Sequence, residues 1–163
     1  KLKRRDEGKP VAWLIGSFDD LERYAVDVPE YAVSLAKAFW PGALTLVVKA
    51  SDRVPAAFRS KEGTIGLRMP ASDVALELAR AVSSPLATTS ANFSGEPAPR
   101  SYEELDPAFS SQAASVLADG SAESGVASTV LDCRGERPAC IREGSIGKVD
   151  VDAALLAARP RGL

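Results

Sequence analysis

Pro85-Leu86-Ala87-Thr88-Thr89-Ser90-Ala91-Asn92-Phe93-Ser94-Gly95 changes character along its length. The first three residues are apolar and the next five are small with polar tips, apart from Ala91. The stretch closes on Ser94-Gly95, with Pro97 and Pro99 just beyond. This pattern predicts a buried strand that leaves the core and enters a tight polar turn. In α/β sheets ligands settle beyond the carboxyl ends of strands. Small hydroxyl and amide groups there supply hydrogen bonds without bulk. Ser, Thr, Asn and Gly are also ordinary turn formers, so the segment gains weight only from others that fit with it.

Upstream, Ser72 caps a predicted helix, DVALELARAV, with Val74, Leu76, Leu78, Ala79 and Val82 mostly toward the core. Before it stands a strand, Thr64–Met69, stopped by Pro70 and carrying Arg68 near its end. Ala43–Ala50 is a strand rich in β-branched residues, and Trp40-Pro41-Gly42 separates it from a helix that Pro29 opens. Val11–Ile15 is a compact apolar strand, followed by a short helix over Ser17–Val26 capped by Ser17. Downstream, Ser101 and Glu104 form a capping-box pattern ahead of a helix that Pro107 bends or ends. Ala114–Ala118 reads as a strand and 121–125 as a small-residue loop. Ser128–Asp132 and Ala139–Arg142 pair as a hairpin around Gly135–Pro138. A helix over Val151–Ala158, ended by Pro160, closes the pattern. Strands and helices alternate without strict βαβ regularity, and neither common glycine-rich phosphate cradle is present.

The chain has 163 residues, enough for one domain with a real core and cramped for two. Its net charge of -2 argues against wholesale coating of nucleic acid, while leaving room for a local basic patch. No apolar run reaches membrane-spanning length and no signal-peptide pattern opens the sequence, so a cytoplasmic protein is the expectation. Histidine is absent, which removes Ser-His-Asp and Cys-His catalysis and histidine metal triads together. Two cysteines, Cys133 and Cys140, flank the hairpin turn; without histidine they make a poor zinc site, and a disulfide between them is not expected in a reducing compartment.

Several segments carry chemistry. Lys3-x-Arg5 with Lys9-Pro10 is a basic cluster that enters a strand. Thr64 and Arg68 share a strand, Ser90 and Asn92 share the polar turn, and Ser128 and Arg142 sit on the two arms of the hairpin. Singly, each is what surfaces and strand ends ordinarily contain. Together they offer cations for a polyphosphate and hydroxyls for a small polar substrate.

The set resembles the YrdC/Sua5 family, the threonylcarbamoyl-AMP synthases. The corresponding segments are the KxRxxxxP-type motif at Lys3–Pro10, Trp40-Pro41-Gly42-Ala43-Leu44-Thr45, Arg68-Met69-Pro70, Ser90-Ala91-Asn92-Phe93-Ser94-Gly95, Ser128-Thr129-Val130-Leu131-Asp132 and Arg142-Glu143-Gly144. They occur in the family's order over nearly the whole chain.

The resemblance implies an α/β (α+β) fold: a twisted mixed sheet flanked by helices, with a concave basic cavity, as a single domain over 1–163. It implies synthesis of threonylcarbamoyl-AMP and pyrophosphate from L-threonine, bicarbonate and ATP with Mg2+, feeding the t6A modification of tRNA and its transferase machinery. Lys3, Arg5, Lys9, Thr64, Asn92 and Arg142 match positions on the ATP side. Arg68, Ser90 and Ser128 match positions near threonine. No protein nucleophile and no protein-held metal is implied. The family also carries a T-D-T-x-Y-G-L-like segment ahead of the basic motif, so the domain is expected to be incomplete at its N-terminus, in the short single-domain form. Two other readings stay open: a YrdC-like module that binds structured RNA, and a paralogue acting on another carbamoyl or adenylate substrate.

Overall fold

The computed structural model describes residues 11–117 and 126–158. The predicted basic residues Lys3, Arg5 and Lys9, the loop at 121–125 and the stop at Pro160 lie outside the described residues. The chain forms two compact units, a larger one of residues 10–88 and 127–163 and a smaller one of residues 1–9 and 89–126.

The larger unit is a mixed sheet with helices. Its strands are β1 (Ala12–Leu14), β2 (Ala25–Val26), β3 (Leu44–Ala50), β4 (Thr64–Arg68), β5 (Leu86–Thr88), β6 (Thr129–Asp132) and β7 (Ala139–Arg142). Their spatial order is β5-β1-β4-β3-β6-β7, with β2 pairing along β3. β1 runs parallel to β4 and β3 parallel to β6, while the other pairs are antiparallel. The helices are α1 (Asp20–Tyr24), α2 (Glu30–Phe39), α3 (Asp73–Ala81) and, at the C-terminal side, α5 (Lys148–Ala157); α4 (Pro107–Ser110) belongs to the smaller unit.

Strand alternation sorts the side chains onto two faces. Leu44, Leu46 and Val48 of β3, Ile65 and Leu67 of β4, Trp13 of β1 and Leu131 of β6 share one core cluster with Ala32, Leu35 and Ala36 of α2 and Val151 of α5. The register then places Ala12, Gly66, Val47 and Thr88 on the opposite face, joined by Leu14 and Arg68. Small and polar side chains dominate that second face near the strand ends.

Several predicted elements take a different form. The first helix is only α1, preceded by Asp19 at its N-cap; Asp20, not Ser17, satisfies the entry, accepting from the amides of Gly16 and Ser17 at 3.2 and 3.1 Å. Ala25 and Val26 leave the helix to pair with Ala50 and Lys49. In α3, capped by Ser72 as expected, only Leu76 and Ala79 are buried. Val74, Leu78 and Val82 recur every fourth residue on another side and remain exposed. β5 pairs with β1 alone at the end of the sheet order, so it is a partly exposed edge strand and not a buried one. In the smaller unit residues 101–105 are turns without a helix. Pro107 opens α4 behind the Asp106 cap, as suits a residue whose missing N–H is not needed there. Residues 114–117 form no strand. Their alternation lacks a partner in the sheet.

Candidate binding site on the sheet

The Trp40–Thr45 segment positions the first part of the site. Pro41 cannot continue α2, and the chain turns with a cis Trp40–Pro41 bond. The buried Trp40 indole N–H donates to the Leu44 carbonyl at 2.7 Å. The Gly42 amide donates to the Met69 carbonyl at 2.8 Å. Arg68 Nε donates to the Gly42 carbonyl at 2.8 Å, which fixes the guanidinium at the end of β4. The turn and the strand end thus hold each other.

The hairpin provides the second part. Ser128 lies just ahead of β6 and is buried, and Arg142 is the last residue of β7. Arg142 Nε and Nη2 donate to the Ser128 carbonyl at 3.1 and 2.8 Å, and Nη2 also reaches Ser128 Oγ at 3.1 Å. Ser128 Oγ lies 3.0 Å from Oγ1 of Thr45 on β3. Among the described residues no carboxylate comes within ion-pair distance of Arg142. Its positive charge is held in place by neutral acceptors and so is not cancelled locally.

Thr129 locks this arrangement from behind. Its Oγ1 accepts from the amides of Gly144 and Ile146 at 2.9 and 3.1 Å and donates to the Ile146 carbonyl at 2.7 Å. The loop after β7 is thereby pressed against the start of β6. A Cβ on Gly144 would overlap the Ala127 carbonyl oxygen and stand 2.6 Å from the Ser128 carbonyl carbon. Only glycine permits this approach of backbone to backbone.

The hairpin turn is fastened separately. Arg134 bonds the Asp132 carboxylate at 2.6 Å and also Glu62, and the Tyr31 hydroxyl donates to the Gly135 carbonyl at 2.8 Å. The hydrogen bond from Arg134 holds the Asp132 carboxyl below its ordinary range. Burial, with the Asp132 charge adding, pushes the Cys133 thiol up to about 12. Cys133 is buried and Cys140 exposed, and both are free thiols.

The predicted residues therefore divide. Ser128 and Arg142 are in contact, and Arg68 is two strands away across β3, with strand backbones on the order of 10 Å apart. Thr64 is at the other end of β4, roughly 13 Å along the strand from Arg68, with its hydroxyl 2.7 Å from Ser60 Oγ. Ser90 and Asn92 belong to the smaller unit. There Asn92 Nδ2 donates to the carbonyls of Phe93 and Glu96 at 3.0 and 2.6 Å, shaping its own turn, and Phe93 packs edge-on against Phe109. The shallow cleft at Gly16, Ser17, Asp20, Arg23 and Arg80 is lined by none of the predicted residues. Sequence reading passed over Thr45, Thr129 and Gly144. Each sits inside or beside a quoted segment, but its role depends on a partner strand far away in the chain.

One face of the sheet is packed by helices, and the other carries arginines and buried hydroxyls at strand ends. The chain belongs to the Sua5/YciO/YrdC family: that family's model, described as "Telomere recombination", matches residues 1–144. It is 36% identical over 155 residues to the threonylcarbamoyl-AMP synthase of Pyrococcus abyssi, an alignment covering 95% of this chain and 46% of that protein. It is 35% identical over 160 residues to the threonylcarbamoyl-AMP synthase of Bacillus subtilis, covering 95% and 45%. The chain thus spans less than half the length of these two relatives. Its fold matches the crystal structure of P. abyssi Sua5 complexed with L-threonine at a TM-score of 0.86 and 36% identity, over 94% of this chain and 45% of that one.

Proposed function

We propose that this chain forms the adenylate-making domain of a threonylcarbamoyl-AMP synthase, acting on L-threonine, bicarbonate and ATP in the service of tRNA t6A modification. The observation that carries the reading is the linked set Arg142–Ser128–Thr45 beside the anchored Arg68, in a chain whose fold matches a Sua5 solved with L-threonine.

Threonine's amine captures bicarbonate as a carbamate, with loss of water. A carbamate oxygen then attacks the α-phosphorus of ATP and pyrophosphate leaves, giving the mixed anhydride. No protein nucleophile is needed; the work is positioning and offsetting charge. Arg68 offers its guanidinium to the threonine carboxylate, and Ser128 hydrogen-bonds the same substrate. Arg142 offsets phosphate charge; the family resemblance assigns Lys3, Arg5, Lys9, Thr64 and Asn92 to ATP and Ser90 to threonine, and those roles are part of the proposal. Mg2+ would come bound to ATP and offset phosphate charge there. Among the described residues no helix is long and apolar enough to cross a membrane; a cytoplasmic site of action is part of the proposal.

The test is pyrophosphate release from Mg-ATP, with L-threonine and bicarbonate each supplied and withheld. Release that requires both supports the synthase. Release indifferent to threonine but dependent on another amine or carbamoyl donor would favour the paralogue. Steeply salt-dependent RNA binding without turnover would favour the RNA module.

A further inference from the structure

We propose that Thr45 is a positioning residue that forces Ser128 to act as a hydrogen-bond donor toward the ligand. The inference rests on the synthase reading for the identity of that ligand, but not for the proton arrangement itself.

Thr45 is 4% exposed and Ser128 is 8% exposed, and their hydroxyl oxygens are 3.0 Å apart. One of the two must donate. Among the described residues Thr45 Oγ1 has Ser128 Oγ as its hydrogen-bond partner. If Ser128 donated to Thr45, the Thr45 proton would be buried without an acceptor, a costly arrangement. Donation from Thr45 to Ser128 avoids that cost.

Arg142 settles the rest. A guanidinium has no acceptor, so the 3.1 Å contact from Nη2 occupies one lone pair of Ser128 Oγ. The Thr45 proton occupies the other. A serine hydroxyl has two lone pairs and one proton. Both lone pairs are then filled from within the protein, and the single proton of Ser128 is left for a group that accepts. A carboxylate, carbamate or phosphate oxygen fits this requirement, whereas an ammonium does not. The site therefore discriminates by proton polarity: the hydroxyl nearest the arginine is set to meet an anionic oxygen before the ligand arrives.

The Thr45 methyl has its own place. A Cβ on Gly66 would lie 3.4 Å from Thr45 Cγ2, so the methyl packs over the glycine and holds the threonine rotamer. Serine at this position keeps the donor but loses that packing, and valine keeps the shape but loses the donor.

Neutron diffraction from a deuterated crystal of the wild-type protein decides the polarity directly. The expected map shows deuterium on Thr45 Oγ1 directed at Ser128 Oγ, with the Ser128 deuterium turned elsewhere; deuterium on Ser128 directed at Thr45 overturns the proposal, whatever the protein's substrate. In the pyrophosphate-release assay, Thr45→Val is expected to raise the KM for L-threonine on the order of tenfold, the worth of one hydrogen bond, with the KM for ATP changed far less. Thr45→Ser is expected to stay within about threefold of wild type. A Thr45→Val enzyme with an unchanged threonine KM, or one that Thr45→Ser matches in its defect, overturns the positioning role. Wild-type protein without threonine-dependent release would refute the synthase reading, while the neutron map would still decide the hydroxyl arrangement.

Discussion

Leu44, Leu46, Val48, Ile65 and Leu67 leave the central strands on one side; Val47, Gly66 and Arg68 leave the same strands on the other. The first side is packed by α2 and α5 around a mostly apolar cluster. The second carries small residues, hydroxyls and an arginine tied to a carbonyl. A two-residue period lets one stretch of chain serve both ends at once. The first face contributes stability through buried apolar area. The second holds polar groups whose positions are set by hydrogen bonds across β3, β4 and β6. Substitutions on the two faces are expected to fail in different ways.

Leu46→Ala, on the packed face, is expected to cost about 3 kcal/mol in urea unfolding, through lost burial and the cavity left behind, while the folded fraction keeps its ligand affinity. A loss below about 1 kcal/mol would mean that the cluster relaxes around the gap and the face is less tightly packed than drawn. Gly144→Ala is expected to cost about 2 kcal/mol, since its methyl meets backbone that cannot swing aside. It should also lower threonine-dependent turnover by displacing Ser128, which distinguishes it from a purely stabilising position.

Arg142→Ala is expected to weaken ATP use roughly thirtyfold, the value of one charge-assisted contact. Because Nη2 also bonds Ser128 Oγ, threonine use should fall as well, by a smaller factor. Arg68→Ala should show the reverse order, threonine before ATP. Identical profiles for the two variants would erase the assigned division of labour.

The smallest effect is at the rim of the hairpin. The Asp132 carboxyl is held below its ordinary value of 3.8 by the hydrogen bond from Arg134, with burial opposing. A lowered carboxylate adds stability above its unfolded value, and that contribution disappears as the pH falls through the folded one. Asp132→Asn should therefore lower stability slightly at neutral pH and flatten the acid side of the curve, so that the difference from wild type disappears below about pH 4. A wild-type curve that Asp132→Asn reproduces throughout would remove Asp132 from this account.

Much of the packed face was legible in the sequence. β-branched alternation in Ala43–Ala50 and Thr64–Met69, the proline stops and the Ser72 cap are local signals, and the structure follows them closely. The hairpin was legible for the same reason. The exposed stripe of α3 was not, because Val74, Leu78 and Val82 are apolar residues that a pattern assigns inward unless it knows which side the sheet lies on. Residues 114–117 read as a strand because local alternation says nothing of whether a neighbour exists. In the site, the motif segments led to Ser128, Arg142 and Arg68. Thr45 was missed because its hydroxyl finds its partner 83 residues later. No window of sequence contains both halves of that bond.

That distance has a consequence for how the protein comes into being. β3 is among the early strands to leave the ribosome, yet Leu44 pairs in parallel with Thr129, and the Thr45 hydroxyl waits for Ser128. Closing so long a loop is slow compared with forming local helices such as α2. During synthesis a nascent chain can assemble β3 with β4 as an antiparallel pair, but the flank of β3 reserved for β6 stays unpaired until Thr129–Asp132 has emerged. The arrival of β6 covers that flank and completes the hydroxyl pair in one event. The Thr45–Ser128 hydroxyl pair therefore forms only once β6 has docked, and a chain that presents it has already covered that flank of its sheet.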